Sequence, residues 1–270
     1  MDDMLTQRYC SLFNRKKGVK FVEGDFCDLS ITDLNKFDVI IHFAARTDAT
    51  SSITDSDTTW DINVIKTKKL IDKISESKVK LFIFPSSTSV YGVATDEVFE
   101  DVNEHVNPQS PYADSKVEVE KYLTNSNINY VILRFGTIFG CSKGMRFHTA
   151  INKFCYQSAL GKPLTVWREN YEQYRPYLGL GDMTQSVKLV LNNESSWNNI
   201  FNVLTDNFSL ENIVSRIQEE KHTNINFVDT PLLNQYTYFV NFDKIKKLGF
   251  KPSDDLSVDI KKTIKLLSNE

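Results

Sequence analysis

The stretch LFIFPSSTSVYG, residues 81–92, decides the fold of this 270-residue chain. Its bulky apolar start predicts a buried β-strand over Lys80–Phe84, and the hydroxyl-bearing residues 86–89 follow where that strand ends. In open α/β sheets, ligands bind at the carboxyl ends of parallel strands. The stretch therefore indicates a candidate site at a strand end, although a Ser/Thr-rich turn that only ends a strand has the same composition.

Outward from this strand, short apolar runs alternate with helical stretches, which is the pattern of a parallel sheet with helices on both faces. The other strands predicted in the first half are Val19–Val22, Val39–Phe43 and Tyr130–Phe135. Helical spacing predicts a helix whose inner face carries Trp60, Val64, Ile71 and Ile74. A second helix opens at Pro111 and carries Val119 and Leu123 inward. We therefore predict an α/β fold with a doubly wound parallel sheet.

The second half of the chain predicts a smaller α/β region with less regular elements. We expect a helix over Met145–Leu160, strands over Leu164–Trp167, Pro176–Leu180 and Ile200–Val203, and helices from Asp182 and from Ser209. A final pair of helices is separated by the stretch 248–252, in which glycine precedes proline. That order is a helix stop signal.

Charge and cysteine usage limit the kind of partner. The 32 basic and 35 acidic residues give a net charge of −3 with both signs interspersed, so we expect a small-molecule partner, not nucleic acid or a membrane. The cysteines show neither zinc-site spacing nor disulfide density, so we expect no metal and a reducing, cytoplasmic location. The N-terminus lacks an apolar signal core, and no apolar run reaches the length of a membrane span.

Tyr112 and Lys116 lie four residues apart, so they share one face of the predicted helix. A free tyrosine has a pKa of ~10, and lowering it by about three units requires roughly 4 kcal/mol of preference for the phenolate. A neighbouring ammonium in a dry site supplies much of that, which makes the tyrosine a usable base. The alternative is a surface helix with a solvated lysine, but the hydroxyls of residues 86–89 favour catalysis.

These features together resemble the extended short-chain dehydrogenase/reductase family, of the NAD-dependent epimerase/dehydratase type, over nearly the whole chain. The marks, in order, are Phe21–Asp25, Val39–Ala45, Ser86–Gly92, the Tyr112/Lys116 pair, Leu133–Gly136 and Arg175–Leu178. The resemblance implies a Rossmann-like NAD-binding domain over residues 1–140 and 176–203. It also implies a smaller substrate-binding lobe over residues 141–175 and 204–270.

The resemblance assigns three catalytic residues. Tyr112 would take the proton of a sugar hydroxyl while NAD accepts hydride from the same carbon. Lys116 would hold the nicotinamide ribose and lower the pKa of Tyr112. Ser87 would hydrogen-bond the reacting oxygen.

The resemblance also implies the remaining binding residues. Besides Tyr112 and Lys116, NAD would contact Asp2, Asp25, Phe26, Phe43, Ala44, Ala45, Asn63 and Phe135. The sugar nucleotide would contact Ser87, Thr88, Thr137, Asn152 and Arg175. A guanidinium suits a diphosphate because its fork matches phosphate oxygens. The alternative for Arg175 is a surface ion pair, and the alternative for Asp2 is a merely polar N-terminus. His42 is interpreted as a packed, hydrogen-bonded histidine and not as a catalytic residue.

One departure from the family concerns the cofactor. Members usually begin with a strand and a glycine-rich turn whose amides bind the pyrophosphate, and this chain has no such motif. Met1–Arg8 corresponds to the stretch after the family's second strand, so the first βαβ unit is missing. We expect the 270-residue form to be N-terminally truncated and unable to hold NAD. The alternative function is a non-catalytic remnant or a sugar-nucleotide-binding module.

Two departures concern the reaction. Dehydratases of the family place Asp-Glu where this chain has Thr88-Ser89, so a 4,6-dehydratase is disfavoured. A second diphosphate-binding arginine is replaced by Tyr236-Thr237. We predict a 4-epimerase or related 4-ketoreductase acting on a nucleotide-linked sugar. As in the family, it is expected to work as a homodimer through helices over Trp60–Ser77 and Pro111–Thr124.

Overall fold

The computed structural model describes residues 1–5, 9–94, 96–229 and 238–268, so the Tyr236-Thr237 prediction lies outside the described residues. The chain divides into two compact units. The first comprises residues 1–90, 108–134 and 193–201, and the second comprises residues 91–107, 135–192 and 202–270. These units follow compactness and differ from the domain boundaries given above, which remain a prediction about function.

The first unit contains a four-stranded sheet, as the α/β prediction requires. Its strands are β1 (Val39–Ile41), β2 (Leu81–Ser87), β3 (Tyr130–Phe135) and β7 (Asn199–Val203), in the order β1-β2-β3-β7. Strand β1 runs parallel to β2, with Ile40 opposite Phe82. The helices of this unit are α1 (Ile31–Leu34), α2 (Ala49–Thr54), α3 (Ser56–Trp60), α4 (Thr67–Ser75) and α5 (Pro111–Thr124).

Helix α5 confirms the prediction made from its sequence. Pro111 occupies the first turn, where a missing N–H costs nothing, and the Ser110 side chain caps the helix by accepting the N–H of Ala113. Val119 and Leu123 are fully buried and pack in one cluster with Phe82 of β2. Burying an aliphatic or aromatic side chain of this size contributes roughly 1.5–3 kcal/mol, so this packing holds α5 on the sheet.

The helix before β2 differs from the prediction. Val64, Ile71 and Ile74 are buried, but Trp60 is 40% exposed, so the four side chains do not share one face. The reason is a π-helical segment, Asp61–Lys66, inserted between α3 and α4. A π turn closes i→i+5 hydrogen bonds, which rotates the preceding residues away from a 3.6-residue repeat. Single π turns are frequently found at functional sites.

The predicted strand over Val19–Val22 is wrong. This segment forms no ladder; its neighbour Glu23 makes an isolated parallel bridge with Asp2. The N–H of Asp2 donates to the Val22 carbonyl, and the N–H of Gly24 donates to the Asp2 carbonyl. Val19 is 60% exposed, so its apolar side chain is not covered by a neighbouring strand. Apolar alternation alone does not make a strand without a hydrogen-bonding partner.

The second unit is built from two small sheets and five described helices. The strands β4 (Thr137–Phe139), β6 (Tyr174–Gly179) and β8 (Asp206–Ser209) form one sheet, with β4 parallel and β8 antiparallel to β6. The strands β5 (Leu164–Trp167) and β9 (Ile225–Val228) pair in parallel. The helices are α6 (Ala150–Ala159), α7 (Leu180–Leu191), α8 (Leu210–Glu220), α9 (Asp243–Lys247) and α10 (Leu256–Ser268).

Helices α6, α8 and α10 bury one shared core with β5, in which Phe154, Ile213 and Ile260 are almost fully covered. The predicted helix over Met145–Leu160 begins later, at Ala150, because Thr149 is its N-cap and has an extended backbone. Between α9 and α10, Gly249 has φ +103°, the left-handed region that the stop signal predicted. Among the described residues, no helix is long and apolar enough to cross a membrane.

Candidate active site

The carboxyl end of β2 presents hydroxyl side chains in two directions. Successive strand side chains point to opposite faces, so Ser86 and Ser87 diverge. Ser86 is buried, whereas Ser87 is half-buried. Oγ of Ser87 accepts the backbone N–H of Ser89 at 3.1 Å. Because that bond uses an acceptor site, the Ser87 hydroxyl proton is left for another acceptor.

Helix α5 brings Tyr112 and Lys116 to this strand end. Lys116 is 5% exposed, and its Nζ donates to the carbonyl of Pro85 at 2.8 Å, two residues before Ser87. The same Nζ lies 4.6 Å from the centre of the Phe84 ring and 5.9 Å from the centre of the Tyr112 ring. The three predicted catalytic residues therefore belong to one region of the first unit, linked through β2 and Lys116.

Burial controls the charge state of this region. It lowers the pKa of Lys116 to about 8, and the carboxylate of Glu120 opposes part of that change. Lys116 is therefore still mainly protonated at neutral pH, which puts a positive charge beside the Tyr112 ring. Burial and then the Lys116 charge lower the pKa of His42 to about 3, so His42 is neutral. His42 contacts Thr67 Oγ1 at 3.1 Å, which confirms its interpretation as a packed, hydrogen-bonded histidine.

Asn63, in the π-helical segment, holds the loop that follows β1. Its Oδ1 accepts the N–H of Arg46 at 2.8 Å, and its Nδ2 donates to the carbonyl of Arg46 at 2.9 Å. The same Nδ2 donates to Ser115 Oγ, whose hydroxyl donates to the Tyr112 carbonyl. Asn63 thus ties this loop to α5. The predicted cofactor residues of the loop remain accessible; they are Phe43, which is 50% exposed, and the half-buried Ala44 and Ala45.

The other predicted cofactor residues of this unit have local structural partners. Asp25 accepts from Lys66 Nζ at 2.6 Å and from the Cys27 N–H, and the lysine hydrogen bond, followed by the amide, lowers the pKa of Asp25. Phe26 lies edge-on to His42, with ring centres 4.7 Å apart. Asp2 is exposed and accepts the N–H of Met4 at 2.8 Å.

The predicted substrate residues Thr137, Asn152 and Arg175 lie in the second unit, as does Phe135. Arg175 sits over the Tyr238 ring at 5.3 Å, and its Nη2 is buried without a hydrogen-bond partner among the described residues. Asn152 donates to the Arg146 carbonyl, but its buried Oδ1 likewise has no described partner. Unsatisfied buried polar atoms are costly, so both residues have capacity for a polar ligand. Thr137 begins β4 and Phe135 ends β3.

Sequence reasoning missed a second layer of polar residues. Ser52 Oγ accepts the N–H of Tyr112 at 3.2 Å, and the buried carboxylate of Glu120 pairs with Arg134 at 2.7 Å. A signal for the ion pair was present, because an arginine inside the apolar run of β3 requires a buried partner. The position of that partner on α5 was not readable from spacing alone.

The residues around Lys116 fit one end of a dinucleotide. Lys116 uses one of its three protons on Pro85, and no second acceptor lies among the described residues, so the ammonium fits a ribose hydroxyl. The sequence has no Gly-x-Gly-x-x-Gly motif, so the described residues supply no glycine-rich cradle for the pyrophosphate.

Comparison with known proteins gives consistent matches. The sequence model of the NAD dependent epimerase/dehydratase family matches residues 4–203. A dTDP-D-glucose 4,6-dehydratase of Bos taurus is 28% identical, covering 93% of this chain and 74% of that protein. A putative UDP-glucose 4-epimerase of Methanocaldococcus jannaschii is 26% identical, covering 93% and 84%. The crystal structure of the Bacillus cereus UDP-glucuronic acid 4-epimerase with UDP-glucuronic acid and NAD has a TM-score of 0.86 at 24% identity, covering 97% and 86%.

Proposed function

Because this chain belongs to the NAD dependent epimerase/dehydratase family, we propose that it is an NAD-dependent epimerase, or 4-ketoreductase, of a nucleotide-linked sugar. One observation carries the proposal. Lys116 is a buried ammonium held at the carboxyl end of β2, and its Nζ lies 5.9 Å from the centre of the Tyr112 ring. The carbonyl that accepts its proton belongs to Pro85, two residues before Ser87. This arrangement suits removal of a proton from a sugar hydroxyl.

In the proposed mechanism, Tyr112 is the base that takes the hydroxyl proton. The positive charge of Lys116 stabilises the phenolate before the reaction, because opposite charges favour ionisation in a site shielded from water. Ser87 donates its free proton to the reacting oxygen and holds it near Tyr112. NAD, when bound, supplies a reversible hydride acceptor. Lys116, with two spare protons, would hold its ribose, while Phe43, Ala44, Ala45 and Asn63 would line the adjoining loop.

We assign the substrate roles to residues of the second unit. Arg175 would bind the diphosphate, supported by its unsatisfied Nη2. Asn152 would accept a hydrogen bond from the sugar nucleotide through its unsatisfied Oδ1. Thr137 and Thr88 would contact the sugar, and Phe135 the nicotinamide. Asp25, Phe26 and Asp2 are kept as proposed contacts of the adenosine end.

Epimerisation is favoured over dehydration by the residues after Ser87. The relatives include proteins with either name, so the choice depends on this chain's own side chains. Elimination of water from neighbouring carbons needs an acid and a base there. Thr88 and Ser89 carry hydroxyl groups, which do not ionise near neutral pH. Ser87 and Tyr112 can thus serve proton removal at one oxygen, while the two described residues that follow Ser87 supply no carboxylate for a second transfer.

A second candidate function is a sugar-nucleotide-binding module that does not retain NAD. The unsatisfied polar atoms of Arg175 and Asn152, which need no NAD to meet a ligand, favour this alternative. Arg175 and Asn152 would still bind a nucleoside diphosphate in such a protein.

Two measurements on the 270-residue protein separate these functions. The first is the NAD content after purification, together with the affinity for added NAD. The second is NMR analysis of UDP-glucose and dTDP-glucose incubated with the protein and NAD. The epimerase predicts inversion at C4 in at least one sugar. Binding of UDP without NAD binding or turnover would support the binding module over the epimerase for the 270-residue protein.

Two further parts of the proposal concern assembly and location. We propose a homodimer through the exposed sides of the helices over Trp60–Ser77 and Pro111–Thr124. Lys68 and Glu118 on these helices already pair at 2.6 Å, which keeps that surface polar in part. We also place the protein in the cytoplasm, supported by Cys27, Cys141 and Cys155, none of which forms a disulfide.

A further inference from the structure

A buried ion pair lies directly behind the Tyr112–Lys116 pair in the first unit. Nε of Arg134 contacts both carboxylate oxygens of Glu120, at 3.1 and 3.3 Å, and Nη2 donates to Oε2 at 2.7 Å. The Ser86 hydroxyl donates to Oε1 of the same carboxylate at 2.5 Å. Glu120, Arg134 and Ser86 are only 3–5% exposed. The carboxylate is thus held from β2, β3 and its own helix.

Stability alone does not account for this arrangement. Removing two charges from water is costly, and replacing a buried ion pair with apolar residues of similar volume is often neutral or stabilising. The location of the pair points to another role. Glu120 lies one helical turn after Lys116 and two turns after Tyr112 on the same face of α5. Ser86 lies between Pro85, whose carbonyl accepts the Lys116 ammonium, and the candidate catalytic Ser87.

We propose that Glu120 and Arg134 are positioning residues for Tyr112 and Lys116, an inference that rests on the function proposed above. Through Ser86, the carboxylate fixes the end of β2 against α5, so that the Pro85 carbonyl and Ser87 keep their places. Through its ion pair, Arg134 neutralises Glu120. Glu120 still raises the pKa of Lys116 against the effect of burial, so Lys116 keeps its proton and its charge stays available to Tyr112.

The charged and titratable groups around Lys116 support this assignment. Tyr112 and Glu120 face it from α5, His42 from the segment after β1, and Arg134 lies behind Glu120 on β3. His42 is neutral at physiological pH, since burial and the Lys116 charge lower its pKa to about 3. With Glu120 and Arg134 cancelling, these groups leave one net positive charge. A phenolate at Tyr112 is the group that this charge would stabilise.

The test changes the net charge of the Glu120–Arg134 pair and measures the pH midpoint at which Tyr112 ionises. Glu120→Gln removes the negative charge beside the Arg134 guanidinium, which leaves one more net positive charge and favours the phenolate. Eight helical residues span about 12 Å, and a unit charge at that distance, with an effective dielectric constant of about 20, moves a titration midpoint by about one pH unit. We expect the Tyr112 midpoint to fall by about that amount. The double variant Glu120→Gln/Arg134→Met should return it to the wild-type value.

The midpoint is measured by tyrosinate absorbance, as the difference between each protein and its counterpart that also carries Tyr112→Phe. Glu118→Gln is the matched control, because it removes from the same helix a half-buried carboxylate that pairs with Lys68 and should leave the midpoint unchanged. Ser86→Ala keeps all charges and loses only the link to β2. It should reduce turnover about fivefold, the equivalent of one ordinary hydrogen bond, without moving the midpoint.

Opposite outcomes would overturn the inference. If Tyr112 titrates but its midpoint is the same in wild type and Glu120→Gln, the pair does not act on Tyr112. If Glu120→Gln does not fold, Arg134→Met takes its place, because it leaves the opposite charge and should raise the midpoint. Full turnover in Tyr112→Phe would reject the proposed function instead. The titration difference needs no bound cofactor, so the two failures are distinguishable.

Discussion

Replacing Lys116 with methionine should stabilise the protein at neutral pH and abolish its activity. Burial lowers the pKa of Lys116 from an ordinary 10.5 to about 8. Between these values the unfolded chain binds more protons than the folded protein, so wild-type stability rises as pH increases through this window. Below pH 8, the buried ammonium costs about 3 kcal/mol, worked from a difference of about 2.5 pKa units at 1.36 kcal/mol each.

The variant lacks this pH-dependent cost. Loss of the hydrogen bond to the Pro85 carbonyl offsets part of the gain by about 1–3 kcal/mol, but that loss is the same at every pH. The advantage of Lys116→Met over wild type should therefore shrink by about 2.5 kcal/mol between pH 7 and pH 10.

Urea unfolding at the two pH values measures this change, and Lys121→Met provides the control. Lys121 is exposed on the same helix, so its substitution should give a difference that hardly varies with pH. A Lys116→Met advantage that is equal at pH 7 and pH 10 would refute the reasoning. It would mean that Lys116 is hydrated in the folded protein and that the site beside Tyr112 is not shielded from water.

Two further predictions concern the proposed binding residues. Arg175→Ala should weaken UDP binding by about 1.5–3 kcal/mol in calorimetry, the range for a hydrogen bond to a charged group. Arg216→Ala, which loses a hydrogen bond to Ser257 and a cation–π contact with Phe208, should bind UDP as wild type does. Equal UDP affinity of the two variants would reject the diphosphate role of Arg175. Asn63→Ala leaves both backbone groups of Arg46 unpaired and should destabilise the protein by about 1–3 kcal/mol in thermal unfolding. Asn63→Asp keeps the acceptor but not the donor, so its stability should lie between those of wild type and Asn63→Ala. An Asn63→Ala variant as stable as wild type would show that the loop does not depend on Asn63.

Much of the first unit can be predicted from sequence, at positions where the local helix or strand pattern agrees with the tertiary packing. Pro111 and the Ser110 cap define the start of α5, and the continuous apolar run of β3 predicts a strand covered on both faces. The positions of Tyr112 and Lys116 follow from helical spacing once α5 is known. His42 was interpreted correctly because a histidine within an apolar strand pattern is usually packed and hydrogen-bonded.

Other features depend on contacts that are distant in sequence. The π-helical segment before α4 turned Trp60 outward, and no periodicity rule anticipates an inserted residue in a helix. Within the part of the chain that the structure describes, the segment around Val19 has no ladder partner, which its composition cannot reveal. The small strands β8 and β9 are four residues each, too short for a period of two to be distinguished from a turn. The Glu120–Arg134 pair joins α5 to β3, and these two residues come into contact only when α5 packs on the sheet.

Turnover by the Tyr112→Phe variant is the most direct test of the proposed mechanism. With NAD and the sugar nucleotide that wild type converts, the variant should lose turnover by a factor of about 10²–10⁴, the contribution of a positioned base. Its affinity for the sugar nucleotide should stay within about twofold of wild type, because the lost proton transfer belongs to the transition state. Wild-type turnover in Tyr112→Phe, with the sugar nucleotide bound at saturation, would contradict the assignment of Tyr112 as the base.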